Sequence, residues 1–124
     1  MADALSYSKK FNPELLIDIA TLTGQAESIT NHMASIVMGN NHKIINDLIN
    51  IGEEQNEKLI NLSIWKDFIN STKSDIADFK NMGSDRKGGT IFAGAFLSNF
   101  VPKDVNWLHI DLGGDILFKD YFYY

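Results

Sequence analysis

The sequence predicts an α/β fold, a partial mixed, mostly parallel sheet flanked by helices. Three observations carry that prediction. Short apolar runs of strand length alternate along the chain with segments of helical periodicity. The run Leu15-Leu16-Ile17-Asp18-Ile19-Ala20 is nearly continuous, as expected of a strand buried on both faces of a parallel sheet. The runs end in polar, glycine-bearing turns: Thr21-Leu22-Thr23-Gly24, Gly39-Asn40-Asn41 and Gly113-Gly114.

Each element has its own signal. Residues 2–10 read as the end of a helix, with apolar Ala2, Leu5 and Tyr7 and a basic finish at Lys9 and Lys10 that suits the helix dipole. Asn12-Pro13 stops it, because proline restricts the residue before it and cannot extend the hydrogen-bond ladder. After the Leu15–Ala20 strand, Ala34–Met38 is a second strand. The clearest amphipathic helix spans 42–55, with Ile44, Ile45, Leu48 and Ile49 on one stripe and Asn46, Asp47, Asn50 and Glu53 facing away. Lys58–Ile64 alternates as a strand does. Trp65–Ile69 is a helical turn with Trp65, Phe68 and Ile69 inward, 74–80 a capped loop, and 82–89 polar and glycine-rich. Thr90–Val101 reads as a buried helix packing Ile91, Phe92, Ala95, Phe96 and Phe100, and Pro102 ends it. Trp107–Leu112 is the last strand, and the aromatic tail 118–124 has no core partner within the chain.

Composition narrows the partners. The chain has 124 residues, the size of one domain, with no linker or internal repeat to divide it. Eleven Lys and Arg face sixteen Asp and Glu, a net charge of −5. That balance excludes nucleic acid as the main partner and disfavours an anionic membrane surface. No stretch reaches the roughly 18 apolar residues of a membrane span. Without a cysteine there is no disulfide, thiol catalysis or Cys-ligated metal, and a cytoplasmic setting fits.

Chemistry is sparse. In open α/β sheets ligands bind at the carboxyl ends of strands, which points to the loops 21–24 and 112–114, although their glycines equally just turn the chain. His109 and Asp111 stand two apart and project from one face of a strand; with Asp78 they would make a metal module, but no recognised ligand spacing supports it. Asp75 and Asp78 are three apart and could pair similarly. A structural reading, with capping at Ser74 or Asp75 and a buried, bonded histidine, weighs more. Asp18 within an apolar strand needs a partner or a proton. Gly88-Gly89-Thr90 opens a helix and offers free N–H groups, or merely a close packing contact.

Five ordered blocks add to this: Ala2-Asp3-Ala4-Leu5, Asp18-Ile19-Ala20-Thr21-Leu22-Thr23-Gly24, Ser74-Asp75-Ile76-Ala77-Asp78-Phe79-Lys80-Asn81, Ala95-Phe96-Leu97, and Trp107-Leu108-His109-Ile110-Asp111-Leu112-Gly113-Gly114. Together they resemble the later part of the catalytic domain of the leucine (cytosol) aminopeptidase family. The resemblance covers residues 2–114 of a single partial domain, 1–124, and leaves 115–124 as a divergent tail. It implies a metallohydrolase that releases N-terminal residues from peptides, using two divalent cations, manganese or zinc.

By that resemblance Thr21 and Gly24 match positions lining the pocket for the substrate's first side chain. Leu22 matches a position whose backbone contacts bicarbonate or substrate. Gly113 stands where alanine is usual and would enlarge the pocket, and Ile116 stands where methionine is common. His109 and Asp111 match structural positions. The family's metal ligands, its Asn-Thr-Asp-Ala-Glu-Gly-Arg motif and its catalytic Lys and Arg lie upstream of the Ala-Asp-Ala-Leu block. The chain is therefore expected to be truncated at both ends, to carry no catalytic or metal residue, and to be inactive alone. Its expected partners are an upstream polypeptide or a full-length homologue, within an oligomer, since the family forms hexamers. The alternative is a non-catalytic interaction protein that docks onto such a homologue.

Overall fold

The computed structural model describes residues 1–83 and 87–113. Four strands form one sheet in the order β1-β4-β2-β3: β1 (Leu15–Ala20), β2 (Ser35–Gly39), β3 (Leu59–Asn61) and β4 (Asn106–Asp111). The β1–β4 and β2–β3 pairs are parallel, and β4 runs antiparallel to β2. This is the mixed, mostly parallel sheet that the alternating pattern predicts. The last strand in sequence thus lies inside the sheet, and its Trp107, Leu108, His109 and Asp111 are buried.

Helices cover both faces unequally. On one face lie α1 (Ala2–Ser8), α2 (Gly24–Thr30) and α5 (Gly89–Ser98), while α4 (Lys66–Ser71) packs against α5. Leu5 of α1 and Leu97 of α5 pack on Trp107, with half-buried Leu16, Leu22, Phe96 and Phe100 around them. Ala26 of α2 closes on Ile36 and Met38. The opposite face carries α3 (His42–Glu54), whose Ile44, Ile45, Leu48 and Ile49 pack on Val37, Leu108 and Ile110. Asn41 starts α3, its side-chain oxygen accepting from the Lys43 and Ile44 N–H groups at 3.0 and 3.2 Å.

The structure revises several sequence expectations. Residues 24–30, read as turn and unassigned chain, form α2, which ends where Asn31 adopts a left-handed conformation (φ 49°). The third strand is shorter than 58–64: Leu59, Ile60 and Asn61 pair with Ser35, Ile36 and Val37 of β2, and backbone hydrogen bonds at Lys58 and Leu62 to the same strand mark its two ends. Trp65 points outward, 65% exposed and stacked on Phe68. Most telling is β1, which alternates between exposed and half-buried residues where burial on both faces is expected. Gly114, Ile116 and the tail 118–124 lie outside the described residues.

Candidate functional site

The β1–α2 loop is held by a buried carboxylate at the end of the neighbouring strand. Asp111 is fully buried, and its Oδ1 accepts from the Leu22 N–H at 2.8 Å and the Thr23 N–H at 3.3 Å. Its Oδ2 accepts from the Thr23 hydroxyl at 2.7 Å. That hydroxyl also lies 2.8 Å from the Thr90 hydroxyl on α5. A second tie runs from the Gly89 N–H to Gln25 Oε1 at 2.5 Å. The loop therefore cannot move without breaking bonds to both β4 and the start of α5. Charge-assisted bonds of this kind are short and directional, so they fix loop geometry as well as stabilise it.

Beside the clamped loop lies a groove of about 730 Å³. Leu22, Phe92, Phe96 and Leu97 supply its apolar wall, and Asp3, Thr23, Gln25 and Lys87 its polar groups. An apolar cleft with a few placed polar groups suits a ligand with an apolar body and a polar end.

The sequence-predicted residues divide around this groove. Leu22 lines it directly. Thr21 and Gly24 are exposed on the same loop but outside its lining, and open space surrounds the position a Cβ would take at Gly24. Gly113 is buried and lies outside the groove's lining. A Cβ there would stand 2.1 Å from the Ala34 carbonyl oxygen and 2.6 Å from the Thr30 hydroxyl. Ile116 lies outside the described residues. Groove residues missed at the sequence level include Gln25, Phe92, Phe96 and Leu97. Gln25 reaches Gly89 across 64 residues, a pairing with no local signature.

Among the described residues the candidate metal-ligating groups do not converge, and the buried His109 Nε2 has no hydrogen-bond partner. His109 is fully buried, with Nδ1 2.5 Å from Asp18 Oδ1, and the other Asp18 oxygen accepts from the Trp107 indole N–H at 2.6 Å. The lone Asp of the apolar strand thus finds its partners on β4, as a half-buried carboxylate must. Asp111 is committed to the loop. Asp75 and Asp78 are exposed in a turn where the Ser74 hydroxyl accepts from the Ile76 and Ala77 N–H groups, so the cap falls on Ser74. Among the described residues no three His, Asp or Glu side chains converge as metal ligands, and His109, Asp111 and Asp78 do not meet. Nor is any described helix long and apolar enough to cross a membrane.

Comparison with known proteins agrees with the motif blocks. The family model described as "Cytosol aminopeptidase family, catalytic domain" matches residues 1–121. A probable cytosol aminopeptidase from Syntrophotalea carbinolica is 46% identical over 114 residues, covering 92% of this chain and 22% of the relative. One from Geobacter sp. strain M21 is 44% identical over the same length, covering 92% and 23%. Among solved structures, a mutant leucine aminopeptidase from tomato superposes with a TM-score of 0.83 at 34% identity, covering 91% of this chain and 22% of that one. The chain thus spans under a quarter of the length of the curated relatives it matches. With the ordered motifs, the mixed sheet and these matches in agreement, the chain belongs to the cytosol aminopeptidase family.

Proposed function

We propose that this chain forms the substrate groove of a cytosolic metallo-aminopeptidase that releases N-terminal residues from peptides. The observation that carries this reading is the loop 21–25, clamped by Asp111 and Gln25 against an apolar groove, in a chain of that family. In this reading Leu22, Phe92, Phe96 and Leu97 take the apolar side chain of the first residue. Thr21 and Gly24 border the approach on the exposed side of the loop, and family resemblance alone assigns Gly113 and Ile116 to the pocket.

Divalent cations, manganese or zinc, supply the electrophile in such enzymes. The described donors of this chain do not suit a cation pair, because Asp111 is bonded to the loop and His109 Nδ1 to Asp18, and no cluster of three ligands forms around the remaining, unpartnered His109 Nε2. The contribution of the described residues is therefore to bind and orient the peptide, and the ligands and catalytic groups lie outside them. Holding the loop rigid serves that task, since a positioned substrate has lost its orientational freedom before reaction.

The test is direct. Pure chain incubated with leucine amide and manganese or zinc should give no hydrolysis. Co-expression with the remainder of the Syntrophotalea carbinolica relative, without its matched segment, should give metal-dependent turnover. Hydrolysis by the chain alone, co-eluting with it through a second purification and abolished by chelator, overturns the division of labour. Titration of leucine amide into isotope-labelled chain should shift the signals of Leu22, Phe92 and Phe96. Shifts confined to other residues remove the groove assignment.

A further inference from the structure

We propose that Thr90 is a positioning residue that sets the width of the groove: from behind, its hydroxyl ties the loop wall to the helix wall, so that the groove favours a leucine-sized side chain over a methyl group. The proposal rests on the functional reading above and deepens it to the specificity of that site.

The groove has two walls. Leu22 and Thr23 of the β1–α2 loop form one, and Phe92, Ala93, Phe96 and Leu97 of α5 form the other. Thr90 is outside the lining and 1% exposed. Among the buried residues of α5, beside Phe92, Gly94, Ala95 and Leu97, it carries a hydroxyl. A buried hydroxyl costs free energy unless it is bonded. Ser71, Thr72 and Ser98 solve this within their own helices, donating to the Phe68, Ile69 and Ala95 carbonyls at 2.6, 2.7 and 2.7 Å. Thr90 stands in the first turn of α5, where no carbonyl of that helix lies three residues before it. Its oxygen instead meets the Thr23 hydroxyl at 2.8 Å, across 67 residues of sequence.

The direction of that bond follows from Asp111. The Thr23 hydroxyl has one proton and donates it to Asp111 Oδ2 at 2.7 Å. A carboxylate only accepts. The Thr23 oxygen is thus left to accept, and Thr90 donates to it. The chain runs one way, from Thr90 through Thr23 to Asp111, and ends on a charge that strengthens it. The neighbouring Gly89 N–H reaches Gln25 Oε1 at 2.5 Å, so residues 89 and 90 together hold residues 25 and 23. Asp111 fixes the loop to the sheet, while these two links set its distance from α5.

That distance governs selectivity. A large apolar side chain touches both walls and loses contacts when they part, whereas a methyl group has few contacts to lose. Wherever a pocket fits closely, each methylene is worth about 10–200-fold in discrimination.

The experiment uses the full chain, isotope-labelled and titrated with leucine amide and with alanine amide. Wild type should bind leucine amide more tightly. Thr90→Val keeps the shape and removes the donor. It should lower the ratio of the two affinities about fivefold, the weight of one buried hydrogen bond, chiefly through leucine amide. Hydrogen exchange at the Leu22 and Thr23 amides should rise by a similar factor relative to α3. Thr90→Ser should restore both. Thr72→Val removes a buried hydroxyl outside the groove's lining, so it should lower the urea midpoint and move neither readout. Circular dichroism checks each fold; if Thr90→Val does not fold, Thr90→Ala is read in the same way.

An unchanged ratio and unchanged loop exchange in Thr90→Val overturn the proposal and leave the functional reading standing. So does a change that Thr72→Val reproduces, or one that Thr90→Ser does not restore. Faster loop exchange in Thr90→Val, restored by Thr90→Ser, in a chain whose groove signals respond to neither amide, upholds the tie and removes the functional reading.

Discussion

Asp111 offers two carboxylate oxygens and accepts three hydrogen bonds, two of them from backbone N–H groups that have no other acceptor in the loop. Hydrogen bonds to a charged group contribute about 1.5–3 kcal/mol each, and an orphaned buried donor costs about 1–3 kcal/mol. Asp111→Ala should therefore destabilise the chain by about 3 kcal/mol, read as a lower urea midpoint. Hydrogen exchange at the Leu22 and Thr23 amides should rise more than at the amides of α3. Equal acceleration everywhere would mean that Asp111 supports the fold at large and not the loop. Asp18 is the second such residue: Asp18→Ala leaves both the Trp107 indole and His109 Nδ1 without an acceptor. A loss of about 2–5 kcal/mol is expected from two orphaned groups, whereas Asp18→Asn keeps an oxygen for one of them and should lose about half. Gly113→Ala is a third case. The added methyl meets a backbone carbonyl that cannot rotate away, so about 1–3 kcal/mol of strain should appear in the same urea titration.

At the scale of elements, what was legible follows from how local each signal is. The helix 42–55 was readable because its stripe is complete and Asn41 stands at its cap. Asn41 also donates from Nδ2 to Asn106 Oδ1 at 2.8 Å, tying the helix start to β4. Asn41→Ala should cost about 1–2 kcal/mol. Asn41→Ser, which retains a capping oxygen but not the link to Asn106, should recover part of that in thermal melts. By contrast, α2 was not readable. It has seven residues, no side-chain cap and only Ala26 and Thr30 buried, so its stability comes from packing on Ile36 and Met38 and not from its own periodicity. The loop 21–24 was legible as a strand-end turn, because strand ends and glycine are local features. What holds it was not, since Asp111 and Leu22 stand 89 residues apart. The apolar run of β1 was read correctly as a strand and wrongly as buried on both sides, because periodicity reports the burial a segment is built for, whatever chain provides it.

For the whole molecule, the central position of the last described strand has consequences. β4 joins β1 to β2, so the sheet closes only when residues near the end of the described chain find partners near its beginning. Non-local closure of this type slows folding and leaves edges open while it proceeds. After closure, protection should fall off toward β1. The amides of Leu15, Ile17 and Ile19 should exchange orders of magnitude faster than those of β4, which is paired on both sides. Full protection of all three amides in the monomeric chain would show that β1 too is paired along both edges.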